Sequence, residues 1–149
     1  MEYLTTHDIV WINSSITGGT SPFNYVTLEA AMAGQYSYGQ SQDVPGQAAN
    51  LLARLVLNAP FQGGNLRTAL VATLSFLNAN GYATRVADSE AAELVSAVAQ
   101  RTLTASEAVS RLSTPSAAAV TSVNSLRKLI ALECNTHSEA LALLAGSDA

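Results

Sequence analysis

The stretch APFQGGNLRTALVATLSFLNANGY, residues 59–82, decides how the chain is read. Leu66, Leu70, Leu74 and Leu77 recur at helical spacing, and Ala69, Val71, Ala72 and Phe76 widen that stripe almost all the way round. A helix that apolar is central and buried. Asn80-Gly81 then reads as a left-handed C-terminal stop. Ahead of the helix stands the turn Gly63-Gly64-Asn65, with Arg67 one step into the first turn. Such a turn leaves backbone N–H groups aimed at one point, at the positive end of the helix dipole. A guanidinium beside them can fork onto phosphate oxygens. Taken alone, the same residues also describe a tight interhelical turn with an arginine on the surface.

Outward from this stretch the pattern stays helical. Thr5 to Asp8 reads as a cap for a first helix carrying Ile9, Val10, Trp11 and Ile16, broken by Gly18-Gly19. Residues 20–24 read as a loop, and Thr27 as the cap of a short helix stopped at Gly34. The segment QYSYGQSQ (35–42) reads as an exposed loop or small hairpin. Asp43 caps a third helix with Pro45 in its first turn, where a missing N–H matters little. Gln47, Asn50, Arg54 and Asn58 are expected on its outer face. Tyr82 to Val86 is a short extended piece, followed by a helix through Gln100. Thr104 to Glu107 has capping-box spacing, and so has Thr136 to Glu139. Residues 113–116, Ser-Thr-Pro-Ser, are the best break in the chain.

Composition bounds the function. The 149 residues carry a formal charge of −4, with 48% hydrophobic and 12% charged residues. That is the balance of one packed domain rather than a disordered chain. The acidic balance argues against a nucleic-acid partner. No apolar run reaches the roughly 20 residues that span a bilayer, and no secretory leader is recognisable, so neither a membrane nor secretion is expected. Cys134 stands alone, which suits a reducing compartment, and a cytoplasmic location is expected. It is read as a small buried apolar group. His7 and His137 are read as surface or capping residues, and Arg127-Lys128 as a solvated face. Tyr36 and Tyr38 suit either packing under their own loop or contact with a partner. No metal pair and no nucleophile–base constellation can be assembled from these residues.

The 59–82 stretch resembles the signature of the Fic/Doc (Fido) family, most closely its death-on-curing (Doc) branch. That motif runs roughly His-Pro-Phe-x-Asp-Gly-Asn-Lys-Arg-Thr-Ala, followed by a long helix ending Asn-Gly-Tyr. Pro60, Phe61, Gly64, Asn65, Arg67, Thr68, Ala69 and Leu70 match, as do Phe76, Leu77, Asn80, Gly81 and Tyr82. EYLTTHDIVWIN and LEAAMAG look like the family's opening helices, and the likeness covers about residues 2–112. It implies an all-α Fido fold with a central buried helix, a small flap at Tyr36, Tyr38 and Gly39, and extra C-terminal helices. Residues 1–112 would form the Fido (Doc-like) domain, and residues 113–149 a helical extension packed on it.

The resemblance implies transfer of AMP or phosphate from a nucleotide to a protein hydroxyl. In the family the motif His takes the hydroxyl proton, the acidic residue holds Mg²⁺, and the Gly-Asn turn and Arg cradle phosphate. Here Ala59 stands at the His position, Gly63 at the acidic position and Leu66 at the Doc-type Lys position. Losing a general base removes about 10²–10⁴ in rate, and glycine offers Mg²⁺ no oxygen. No catalytic residue is therefore assigned. Gly64, Asn65 and Arg67 are the expected phosphate- or nucleotide-binding residues, with ATP or another nucleotide as ligand and the Mg²⁺ site lost. The Ser/Thr-x-x-x-Glu-Gly/Asn helix by which family members inhibit themselves is not found, since Leu129 precedes Glu133 by four. The expected function is a catalytically degenerate Doc-like protein that keeps a nucleotide site or a partner groove. In toxin–antitoxin systems of this branch, that groove takes an antitoxin segment or a target protein. The alternatives are an active transferase with a non-standard site and an oligomer-forming structural protein.

Overall fold

A computed structural model describes residues 1–19, 21–36, 42–116 and 126–148. The elements are α1 (Thr6–Thr17), α2 (Tyr25–Met32), a 3₁₀ turn (Ala33–Gln35), α3 (Val44–Asn58), α4 (Asn65–Ala79), β1 (Tyr82–Thr84), α5 (Asp88–Ala99), α6 (Ala105–Leu112), β2 (Ser113–Pro115), α7 (Leu126–Thr136) and α8 (Ser138–Ala145). The protein is mostly helical, as its periodicity predicts, with one small antiparallel sheet. No helix among the described residues is long and apolar enough to cross a membrane.

α4 is the centre. Every residue from Thr68 to Leu77 is buried, and α1, α3, α5, α7, α8 and β1 all pack on it. Its all-round apolar surface leaves it no solvent face, so it nucleates contacts on every side. Gly81, at φ 93, turns the chain out of the helix towards β1.

Local signals fix most boundaries. The Thr5 hydroxyl accepts the Asp8 N–H at 3.1 Å, and the Asp8 carboxylate accepts the Thr5 N–H at 2.9 Å, a complete capping box. Asp43 caps α3 through the Gly46 N–H at 3.2 Å. Thr104 caps α6 by accepting the Glu107 N–H at 3.1 Å.

Other expectations needed correction. Asn24, not Thr27, caps α2: its side chain accepts the Thr27 N–H at 2.9 Å, so the helix starts a turn earlier. Gly34 does not stop the chain there but lies inside the 3₁₀ turn, against α3. A Cβ at that position would meet the Asn50 carbonyl at 3.0 Å. Gln47 is buried rather than outward. It donates to the Gln35 carbonyl at 2.8 Å and accepts the Asp43 N–H at 2.9 Å. Gln35 in turn exchanges two bonds with the Leu4 backbone, at 2.7 and 2.8 Å. This polar ladder ties the chain's first residues to α3, and helical spacing alone could not reveal it.

Two further differences concern the later half. Ser113 to Pro115, expected as a break, forms β2, paired with β1 through Tyr82↔Pro115, Ala83↔Thr114 and Thr84↔Ser113. Thr136 closes α7 rather than capping α8; His137 stands between the two helices and makes no cap bond. Beyond β2, α7 packs on α4 and α8 packs chiefly on α5.

Candidate functional site

The turn at the start of α4 is held from both sides. The Asn65 side chain clamps it from within, accepting the Phe61 N–H at 3.0 Å and donating to the Phe61 carbonyl at 2.7 Å. Pro22 and Asn24 grip it from outside. Asn24 N–H donates to the Pro60 carbonyl and Gln62 N–H to the Pro22 carbonyl, both at 2.9 Å, with Phe23 and Phe61 rings 5.6 Å apart. From α1, Asn13 donates to the Gly63 carbonyl at 2.9 Å and to the Thr68 hydroxyl at 3.1 Å. Gly64 sits at φ 78, where a side chain is strained, and a Cβ there would come 2.7 Å from the Thr17 methyl. Glycine is required at that position by both conformation and space.

Gly64 has no side chain to cap α4, so the helix's first N–H groups need an acceptor from elsewhere. A carboxylate fills that position. Asp148, beyond α8, accepts the Leu66 N–H on Oδ1 at 2.8 Å and the Arg67 N–H on Oδ2 at 3.0 Å. The Arg67 Nε donates to the same Oδ2 at 2.9 Å. The Asp148 side chain is 2% exposed and that of Arg67 17%, so the pair is largely shielded from water. Three donors converge on one anion, two from backbone and one from a permanent cation. An open cleft of about 340 Å³, lined by Ser15, Ile16, Arg67, Cys134, Ser138 and Leu141 among others, adjoins the guanidinium.

The sequence-derived residues divide accordingly. Gly64 forms the turn and Arg67 binds the anion. The Asn65 side chain is committed to the Phe61 backbone, so it shapes the turn rather than reaching an anion. Leu66 contributes its N–H, which any residue type but proline would supply. Ala59 is exposed, in the left-handed region at φ 44, and Gly63 is half-buried. Neither presents a group able to take a proton or hold a metal. Among the described residues, no group of three or more His, Cys, Asp or Glu side chains is placed to bind a metal ion. Of the expected flap, Tyr36 packs its ring 4.7 Å from that of Tyr3, while Tyr38 and Gly39 lie outside the described residues.

A second cluster was misjudged from sequence. His137 is buried, not on the surface, and stands between two carboxylates. Its Nδ1 is 2.8 Å from Asp88 Oδ1 and its Nε2 is 3.1 Å from Glu133 Oε2. Asn78 of α4 donates to Glu133 Oε1 at 2.9 Å, and the Ala140 N–H donates to Asp88 Oδ2 at 3.2 Å. The Glu133 contact raises the His137 pKa most; burial opposes it, and Asp88 adds to the rise. Next door, Cys134 is half-buried rather than enclosed; that burial pushes the thiol up, helped by the Glu133 charge, which keeps it a thiol at neutral pH. His7 is exposed, as expected.

Arg127 is likewise more than a solvated side chain. Its Nε meets Asp8 Oδ1 at 2.8 Å, and its guanidinium carbon lies 4.9 Å from the Trp11 ring centroid. Burial alone would raise the Asp8 pKa, but hydrogen bonds from Arg127 and Thr5, with the Arg127 charge, outweigh it and hold the carboxyl below its usual value.

Asp148 has no local sequence pattern, since its contact spans 82 residues of chain. Of the His137 cluster only the Glu133–His137 pair is local, at i,i+4 spacing, while Asp88 lies 49 residues away. Against known proteins, no family model, no curated protein and no solved structure matches this chain.

Proposed function

We propose that this chain is a Fido-type protein that has lost the transfer reaction and kept the anion site, where it binds a phosphate-bearing nucleotide. One observation carries the reading. The Leu66 and Arg67 N–H groups and the Arg67 guanidinium hold a carboxylate in the position where a helix N-terminus favours an anion. Two parallel N–H donors and a planar guanidinium suit phosphate oxygens at least as well as carboxylate oxygens. The cleft beside Arg67 gives the remainder of such a ligand somewhere to lie. The chemistry of transfer has no carrier in the turn. Ala59 cannot act as a base, and Gly63 offers no metal-binding oxygen.

The binding is competitive, because Asp148 already occupies the donors. The test is thermal unfolding with millimolar ATP, pyrophosphate or sulfate, applied to the natural chain, Asp148→Asn and Arg67→Ala. A ligand present at about 100 times its Kd stabilises the folded state by roughly 2.7 kcal/mol. Asp148→Asn should gain a clear rise in Tm, the natural chain a smaller one and Arg67→Ala none. A flat response of Asp148→Asn to all three anions would end the reading.

A further inference from the structure

We propose that the α7–α8 segment is a proton-linked clasp: it docks when His137 is an imidazolium between Asp88 and Glu133, and loosens when that proton leaves. The second half of the consequence, that loosening withdraws Asp148 from the Leu66 and Arg67 N–H groups, rests on the anion-site reading above.

The argument is one of counting donors. A neutral imidazole has a single N–H, and its other nitrogen is an acceptor. Both ring nitrogens of His137 face carboxylate oxygens, Asp88 Oδ1 at 2.8 Å and Glu133 Oε2 at 3.1 Å. Only the doubly protonated ring can donate to both. On deprotonation one bond becomes a lone pair against a carboxylate, and the ring is left with one donor for two negative groups. Water cannot easily take over, since the side chains of His137 and Glu133 are 9% and 5% exposed.

The cluster also sits where it can act. Asp88 belongs to α5, Glu133 to α7, and His137 is the hinge residue between α7 and α8. The remaining oxygens are held by the Asn78 amide of α4 and the Ala140 N–H of α8. The charged groups facing the imidazole are thus Glu133 and Asp88, while α4 offers only a neutral amide and α8 a backbone N–H. Carboxylates from α5 and α7 meet the ring, and α4 and α8 each hold one of those carboxylates. The direction of the shift agrees. The His137 pKa stands above its ordinary 6.5, so the stabilisation is complete below 6.5 and fades as pH rises through the elevated value. At the far end of α8, the chain runs through Gly146 and Ser147 to Asp148, so movement of α8 is transmitted to the α4 donors.

The experiment is amide hydrogen exchange on the full chain at about pH 6 and about pH 9, corrected for the intrinsic rate. Protection in α7 and α8 should fall about tenfold or more between the two, while α3 and α4 stay protected and serve as the control for folding. His137→Gln, and separately Asp88→Asn should the first variant fold poorly, should leave α7 and α8 weakly protected at both pH values. Equal protection of α7 and α8 at both pH values in the natural chain, or an unchanged pH profile in the variants, overturns the clasp. Sulfate, whose charge is constant over this range, reports the link to the anion site. It should bind the natural chain about tenfold tighter at the higher pH, and Asp148→Asn equally at both. Sulfate that fails to bind Asp148→Asn, alongside pH-dependent exchange, breaks the anion-site reading and leaves the clasp standing. Sulfate that binds Asp148→Asn, alongside pH-independent exchange, does the reverse.

Discussion

Two of the acidic contacts that hold the α7–α8 segment to the body of the protein differ in the cation that answers the carboxylate. At the start of α4, Asp148 meets two backbone N–H groups and Arg67, none of which loses its proton in water. At the α7–α8 junction, Asp88 and Glu133 meet His137, which can. The first contact is fixed in charge and the second is adjustable. A segment held by both can respond to pH through one contact and pass the effect to the other.

The largest expected effect breaks the fixed contact. Gly64→Ala forces a side chain into φ 78 and against the Thr17 methyl. It should cost about 2–3 kcal/mol in denaturant unfolding, to the same extent at acid and alkaline pH. A loss that varied with pH would show that the cost passes through the Asp148 contact rather than through the strained turn. Next comes the adjustable contact. His137→Gln should cost about 2 kcal/mol below pH 6.5, the ordinary His value, and the difference from the natural chain should shrink as pH rises. A constant deficit across that range would contradict the protonated ring.

Smaller effects sharpen the contrast. Asp148→Asn, measured near pH 6, should cost about 1 kcal/mol, since the N–H groups keep a neutral acceptor. Its signature is spectroscopic: the Leu66 and Arg67 amide resonances should move while those around His137 do not. Arg127→Ala should be the mildest, about 0.5 kcal/mol, because Arg127 is largely exposed and solvent screens the pair. With the Asp8 carboxyl held below its usual 3.8, this contribution is present above 3.8 and disappears as pH falls through the lowered value. Acid melts of the two proteins should therefore converge.

What the sequence disclosed follows from the range of each interaction. α4, its turn and its glycine stop were legible because periodicity and capping are local. The same is true of Thr5, Asp43 and Thr104 as caps. Asn24 was missed in favour of Thr27 because both are good capping types three residues apart, and only the backbone decides between them. Gln47 has the spacing of an outward residue but is buried, because Gln35 supplies a partner from a separate turn. His137 sat inside a pattern that mimics a capping box, yet its partners come from α5 and from one turn back on α7. For the candidate site, the turn and Arg67 were legible, while Asp148 was not. An isolated aspartate carries no sign of which helix it will close.

The placement of Arg127 over Trp11 has an optical consequence. The chain has a single tryptophan, and its indole lies on α1 while the guanidinium 4.9 Å away belongs to α7. Withdrawal of α7 would strip the ring of a stacked cation and admit water in its place. Intrinsic fluorescence, with no dye and no engineered label, is therefore a direct gauge of whether α7 is seated. A stopped-flow pH jump followed in this emission would time the release.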